Sequence, residues 1–185
     1  MQAMVRPIAY DAGTTIKEIK DANGKAMKFM VNNTMMRVNL NETLKSGSQL
    51  NFSISWANAI TDRSNFFLSR EGYEYSPEDD NTVYLMGHWF PRRAVYNDTE
   101  GWQNKQLQRL GDFALEFGDY QLEITVPADH IVASTGALQN EKEVLTKEQQ
   151  ARLAKARSSF DKPMMVITPE EARANEKNKS TKKRS

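Results

Sequence analysis

The segment from Leu85 to Trp102 is the part of the chain richest in side chains that could do chemistry or recognise a ligand. Its eighteen residues hold His88, two Trp, a Phe, a Pro and two Arg. An imidazole can act as a general base, and a guanidinium can bind a carboxylate or a phosphate. Aromatic side chains at this density also form well-packed corners of a domain. The segment is therefore either an active site or a structural corner.

Several catalytic classes are excluded by composition and motif. The chain has no cysteine, which excludes thiolate nucleophiles, disulfides and Cys-based zinc sites. Its two histidines, His88 and His130, cannot form a His-Glu-x-x-His zinc motif. No Gly-x-Ser-x-Gly, Walker or Gly-x-Gly-x-x-Gly motif is present. Either histidine could serve as the base of a Ser-His-Asp triad, but no local signature indicates one.

Two other polar groups are better explained by turns than by ligand binding. His130 lies in PADHIVAS, where a strand should begin, and we interpret it as a turn or edge residue. The carboxylates of Glu78, Asp79 and Asp80 lack the alternating ligands and mid-loop Gly of a calcium loop. We therefore predict no metal site on this chain.

Overall charge and hydropathy limit the partners. The 185 residues carry a formal net charge of +1, which argues against a protein that mainly coats nucleic acid or an anionic membrane. No stretch approaches the ~20 apolar residues of a membrane helix. The first residues show no signal-peptide pattern.

Residues 14 to about 137 are predicted to be β. QLNFSISW and DYQLEITV alternate apolar and polar residues, and MMRVNL, TVYLM and HIVASTG add further strands. FALEF and DYQLEITV, joined at Gly118-Asp119, predict a hairpin. Polar turns are predicted at Asp21–Gly24, Lys45–Ser48 and Pro77–Asn81. The pattern favours an antiparallel or mixed β-sandwich over residues 1–140.

After residue 140 the sequence pattern changes from that of strands to that of helices. Thr146 with Gln149, and Thr168 with Glu171, have the spacing of capping boxes, which predicts two helices within 141–176. MMVIT, between them, is a candidate short strand. Residues 177–185 are basic and lack apolar side chains, so we expect a disordered, solvated tail rather than a nucleic-acid-binding arm.

Two segments carry a resemblance to a known family. MGHWFPRRAVYNDTEGWQNK, and RLGDFALEF followed by GDYQLEITVPADHIVASTGALQN, resemble the amino-terminal β domain of aminopeptidase N-type zinc metallopeptidases, the gluzincins, in their bacterial branch. The resemblance implies a saddle-like β-sandwich. It also implies a zinc-dependent aminopeptidase parent whose zinc and catalytic motifs lie in a separate catalytic domain. By this resemblance the chain is a non-catalytic portion with no cofactor of its own, and its partner is that catalytic domain.

The resemblance also suggests site residues. In the family, a Gln or Glu near the position that matches Gly87 or His88 of this chain helps to hold the free amino terminus of a peptide substrate. His88, with Met86 beside it, is thus the candidate substrate-binding residue; the alternative is that His88 closes a strand and bonds locally. Trp89, Phe90 and Trp102 are expected to pack together. Arg92 and Arg93 are expected to pair with Asp98, Glu100 or Asp112.

A second hypothesis is a stand-alone β-sandwich module that binds a protein or peptide. An incomplete sheet would expose an edge that invites self-association or strand addition. The compartment stays open, and a periplasmic or cell-envelope location would suit the parent enzyme.

Overall fold

The computed structural model describes residues 13–65, 71–106, 114–180 and 182–184. The chain divides into two compact units, Met1–Gly118 and Asp119–Ser185. This division falls before the predicted boundary at residue 140.

The described residues are mainly β, as predicted, and their strands pair in antiparallel two-stranded sheets. Among its described residues, the first unit has eight strands and one 3₁₀ turn, Arg63–Asn65. They are β1 (Thr14–Asp21), β2 (Phe29–Asn32), β3 (Met35–Val38), β4 (Phe52–Asn58), β5 (Gly72–Ser76), β6 (Asn81–Leu85), β7 (Tyr96–Asn97) and β8 (Gly101–Trp102). The pairs are β1 with β4, β2 with β3, β5 with β6, and β7 with β8.

The longest ladder joins β1 to β4 and carries the core of the first unit. Ile19 lies opposite Ile54, and Ile16 lies opposite Trp56, with a register shift between Ile16 and Glu18. Ile19 is 1% exposed. Met27, which is 5% exposed, reaches the same strand because its amide donates to the carbonyl of Ile19 at 2.9 Å. These two are the buried apolar side chains of the core among the described residues, and Ile19 is the fully buried one.

The β5–β6 hairpin turns within the predicted segment Pro77–Asn81, whereas the turn between β2 and β3 was not predicted. The turn between β2 and β3 places Asn33 at φ 50°, and that between β5 and β6 places Asp80 at φ 50°. Both are residue types that tolerate the left-handed region. Tyr73 lies opposite Tyr84 across β5 and β6, and their ring centroids are 6.5 Å apart.

Many apolar side chains of these hairpins are exposed. On β2 they are Phe29, Met30 and Val31, and on β5 and β6 they are Tyr75, Val83, Tyr84 and Leu85. A strand pair that is open on a face normally needs a further layer to cover it. The first unit therefore has more apolar strand surface than its own described residues cover.

The described part of the second unit contains three helices, α1 (Glu141–Val144), α2 (Lys147–Ala156) and α3 (Pro169–Glu176). Both predicted capping boxes are confirmed. The Thr146 hydroxyl accepts from the Gln149 amide at 3.2 Å, and the Gln149 side chain accepts from the Thr146 amide at 3.0 Å. Thr168 and Glu171 repeat this exchange, with Pro169 at the first helical position.

The predicted hairpin at Gly118-Asp119 is wrong for the residues that the structure describes. Residues 114–125 form no strand, and pairing begins only at β9 (Val126–Pro127). A two-residue hairpin turn needs positive φ, and neither Gly118 nor Asp119 adopts it. Phe113, at the start of FALEF, lies outside the described residues.

Three other segments also differ from expectation. HIVASTG and MMVIT form no strand, although their apolar runs are compatible with one. The tail expected to be disordered contains a short strand, β10 (Lys183–Arg184), which pairs with β9. Hydrogen bonds to residues far away in sequence hold this strand in place. The Ala128 amide donates to the Lys182 carbonyl at 2.8 Å, and the Arg184 guanidinium donates to the carbonyls of His130 and Val144.

No helix within the described residues combines the length and the apolar character needed to cross a bilayer.

Candidate functional site

A shallow pocket in the first unit brings together the predicted site residues. Its volume is about 160 Å³. Ligand pockets for drug-sized molecules are about 300–1,000 Å³, so this one suits a single residue or functional group. Four stretches line it: Gly13–Thr14, Asn58–Thr61, Glu71–Gly72 and Leu85–Trp89.

One wall of the pocket is fixed through the carbonyl oxygen of Trp89. That oxygen accepts a hydrogen bond from Trp56 Nε1 at 2.8 Å and a second from Asn58 Nδ2. The Thr14 hydroxyl in turn donates to Asn58 Oδ1 at 2.7 Å. The paired strands β1 and β4 therefore hold the loop after β6 in place.

Ring packing supports the same wall. The rings of Trp56 and Trp89 are 6.2 Å apart and inclined by 29°, and the ring of Phe90 lies 4.9 Å from that of Trp89. Trp102 does not join them: it meets Tyr96 edge-on at 5.3 Å and stays half exposed. The expected aromatic corner is thus two separate clusters.

Gly72 sets the opposite side of the pocket. Its φ is +129°, and a Cβ placed there would lie 2.5 Å from the Thr61 carbonyl oxygen and 2.7 Å from Arg63 Cγ. The Tyr73 amide donates to the Thr61 carbonyl at 2.8 Å. The lack of a side chain at Gly72 therefore allows β5 to approach Thr61, which brings Glu71 to the pocket.

The two predicted site residues, Met86 and His88, both line this pocket. The Met86 side chain is 50% exposed and the imidazole of His88 is 70% exposed. His88 has φ +45°, which is uncommon for a residue with a side chain. Local backbone strain of this kind is often found at functional sites.

Glu71 is the pocket residue that sequence patterns did not indicate as functional. Its Oε2 lies 3.6 Å from His88 Nδ1. That separation is too long for a good hydrogen bond, and exposed ion pairs contribute about 0–1 kcal/mol. The signal available in the sequence was a carboxylate directly before Gly72, a glycine that the backbone requires.

Arg93 has an ion-pair partner that was not predicted. Arg93 Nη2 lies 2.8 Å from Glu116 Oε1. Arg92 donates to the Glu116 carbonyl at 3.4 Å, and its guanidinium lies 5.6 Å from the centre of the Phe90 ring. Glu100 pairs with Lys105, a neighbour in sequence, and the hydrogen bond from Lys105 lowers the pKa of the Glu100 carboxyl group. Asp112 lies outside the described residues.

The polar groups outside the pocket, His130, Asp129 and Asp80, make hydrogen bonds within turns. His130 closes a turn, as predicted: its amide donates to the Pro127 carbonyl at 3.0 Å, and its ring lies 2.9 Å from Asp129 Oδ1. That contact, with the Ser180 amide, lowers the pKa of Asp129. Asp80 accepts from the Tyr75 hydroxyl at 3.0 Å. Within the described ranges, no three His, Asp or Glu side chains are placed to hold a metal ion.

Comparisons with family models, with curated proteins and with solved structures gave no match to this chain. The resemblance to aminopeptidase N-type enzymes therefore stays a prediction that depends on residue patterns of the chain itself.

Proposed function

We propose that the chain is the non-catalytic amino-terminal β domain of an aminopeptidase N-type zinc peptidase, and that its pocket contributes a substrate-facing wall. The observation that carries this proposal is the meeting of Met86 and His88 in one pocket. The family resemblance alone indicates these two residues as substrate-binding candidates. The zinc and the hydrolytic groups would belong to the parent's catalytic domain, with none on this chain.

The chemistry of the pocket suits the amino end of a peptide. Leu85, Met86 and Trp89 offer apolar surface for a first side chain. The carboxylate of Glu71 is an acceptor of the kind that binds an ammonium group. Neither nucleic acid nor a membrane is part of the proposal.

The exposed strand faces support a role as one part of a larger assembly. Met30 and Val83 are 65% and 61% exposed, on hairpins that have no further layer among the described residues. We propose that the complete domain is a saddle-like β-sandwich in which a second sheet or the catalytic domain covers these faces. The same exposed surface favours a second candidate, a stand-alone β module that binds a protein or peptide by strand addition or by self-association.

The reading frame that encodes the chain distinguishes these two functions. A frame that continues past codon 185 into a His-Glu-x-x-His motif with a later Glu supports the peptidase domain. A stop codon directly after Ser185 contradicts it and favours the module.

An activity assay tests the non-catalytic part of the proposal. We expect the 185-residue chain to release no amine from an aminoacyl p-nitroanilide, with or without added zinc. A matched sample with the zinc chelated by EDTA is the control. Turnover above the buffer blank that disappears on chelation would contradict the assignment.

A further inference from the structure

The turn that follows β1 contains the dipeptide Asn23-Gly24, which occurs once in the chain. Both residues are exposed. The backbone amide of Asn23 donates to Asp21 Oδ1 at 3.0 Å, but its side-chain carboxamide has no hydrogen-bond partner among the described residues. A carboxamide followed by glycine is reactive, because no side chain beside the next backbone nitrogen hinders its attack on Cγ. The turn is therefore a candidate for modification without an enzyme.

We infer that Asn23 is a site of spontaneous deamidation, and that the hydrogen bonds of Asp21 set its rate. The Gly24 nitrogen forms a bond to Asn23 Cγ while the Cγ–Nδ2 bond breaks. The proton of the Gly24 amide passes through water to the leaving group, which departs as ammonia. Water then opens the cyclic imide at either of its carbonyls and leaves an aspartyl or an isoaspartyl residue. The inference does not depend on the proposed function of the pocket.

The folded turn opposes this reaction. The Gly24 amide donates to the Asp21 carbonyl at 3.0 Å, and this bond must break because the attacking nitrogen loses its proton. Asp21 Oδ1 also accepts from the Lys25 amide at 3.0 Å, and the Asp21 amide donates to the Lys25 carbonyl at 3.0 Å. The turn must therefore open locally before the ring can close. Asp21 thus slows the reaction through the bonds that keep the turn closed.

The products reach the core through the short loop between β1 and Met27. The Met27 amide donates to the Ile19 carbonyl at 2.9 Å, and Ala26 forms a bridge with Lys20. An isoaspartyl residue lengthens the backbone between these anchors by a carbon atom. Either product also adds a negative charge beside Asp21, and like charges repel. We therefore expect the deamidated chain to melt at a lower temperature than the unmodified chain.

The test is incubation of the full chain in mildly alkaline buffer, either folded or in concentrated urea, followed by peptide mapping with mass spectrometry. Exchange of the NH₂ group for OH should appear at position 23 in both samples, and roughly ten-fold more slowly in the folded chain. Asn33 is the internal control, since it also lies in an exposed turn but precedes Thr34. It should react much more slowly than Asn23 even in urea, because the Thr34 side chain hinders attack.

Three variants assign the roles. Asp21→Ala should deamidate at position 23 roughly three-fold faster than wild type, or more, in buffer and at the same rate in urea. Asp62→Ala is the matched control, because Asp62 Oδ1 accepts from the Ser64 amide at 2.9 Å in another turn. It should react at the wild-type rate in both. Asn23→Gln should keep its amide, since its attack would form a larger and less favoured ring.

The outcomes are read separately for the site and for its control. Conversion at Asn23 no faster than at Asn33 in urea would overturn the site. Equal wild-type rates in buffer and in urea, or equal rates for Asp21→Ala and Asp62→Ala in buffer, would overturn the control by the turn. Should Asp21→Ala not fold, the wild-type comparison of buffer with urea decides.

The consequence for the loop is measured on the product. Ion exchange separates the deamidated chain by its additional negative charge, and a thermal melt compares it with the unmodified chain. A lower melting temperature supports the predicted loosening of the loop before Met27. Identical melts would show that the loop absorbs the change, which would refute this part of the inference.

Discussion

The side-chain carboxamide of Gln106 closes the turn that contains Thr34, although the two residues are far apart in sequence. Its Oε1 accepts from the Thr34 amide at 3.0 Å and from the Thr34 hydroxyl at 2.8 Å. Its Nε2 donates to the Asn32 carbonyl at 2.9 Å. One side chain thus satisfies polar groups on both sides of the β2–β3 turn.

Replacing Gln106 by Ala should loosen this hairpin. The change removes three hydrogen bonds at an exposed site, each with a net contribution near 1 kcal/mol, so we expect a loss of about 1–2 kcal/mol in the free energy of unfolding. Denaturant unfolding measures the loss. Gln103→Ala is the control, because Gln103 Nε2 donates to a neighbour in sequence, Glu100, at 3.2 Å. Equal losses in the free energy of unfolding from the two substitutions would contradict the role of Gln106 in closing the β2–β3 turn.

Replacing Trp56 by Phe should loosen the pocket wall without unfolding the unit. The phenyl ring keeps an aromatic contact with Trp89 but loses the indole N–H that donates to the Trp89 carbonyl at 2.8 Å. We expect a cost of about 1 kcal/mol and faster amide hydrogen exchange at Gly87–Trp89. Trp102→Phe, in the other aromatic cluster, should leave exchange at these amides unchanged. If Trp102→Phe speeds exchange at these amides and Trp56→Phe does not, the hydrogen bond from Trp56 does not support the pocket wall.

Replacing Gly72 by Ala should destabilise the first unit severely. The new Cβ would meet the Thr61 carbonyl oxygen at 2.5 Å, and the backbone φ of +129° is itself strained for any L-residue. Overpacking and strain each cost about 1–3 kcal/mol, so we expect a loss of roughly 3 kcal/mol or more. Gly118→Ala is the control, since its Cβ would meet nothing within 4 Å. A thermal melt of Gly72→Ala that matched wild type would refute the close approach of β5 to Thr61.

The stability of α3 should depend on pH through Glu171. The Thr168 amide and then the Arg152 guanidinium lower the pKa of this carboxyl group from its ordinary value of 4.5. Because the pKa of Glu171 is lower in the folded than in the unfolded chain, the ionised carboxylate stabilises the fold fully above about pH 4.5. This stabilisation is lost as the pH falls through the folded-state pKa.

The measurement is the pH dependence of the Thr168 and Ala172 amide shifts between pH 6 and pH 2. Wild type should show a transition below pH 4.5 that is absent in Glu171→Gln. Glu170→Gln removes the adjacent charge without touching the capping box, and it should retain the transition. A transition at or above pH 4.5 would show that the pKa of Glu171 is not lowered in the folded chain.

Local patterns predicted the structure well where neighbours in sequence are also partners in space. The capping boxes of Thr146 and Thr168 need only a residue three positions on, and both formed. β3, β4 and β6 formed where apolar alternation or turn residues indicated them. Alternation alone did not make strands of residues 114–125, because a ladder also needs a partner in register.

The site was predicted only in part for the same reason. The resemblance indicated Met86 and His88, which share one short segment. Glu71 comes from a different strand, and its approach depends on the contact of Gly72 with Thr61. Likewise, Arg93 meets Glu116 rather than a carboxylate near it in sequence. Contacts of this kind follow from strand pairing and not from residue spacing.

The stacked indoles of Trp56 and Trp89 also give the pocket a built-in optical reporter. The chain has three tryptophans, and the third, Trp102, lies in the other aromatic cluster. In a Trp102→Phe background, all tryptophan fluorescence would therefore arise from the pocket wall. Quenching or a spectral shift on adding a small molecule would then report occupancy directly, with no label attached to the protein.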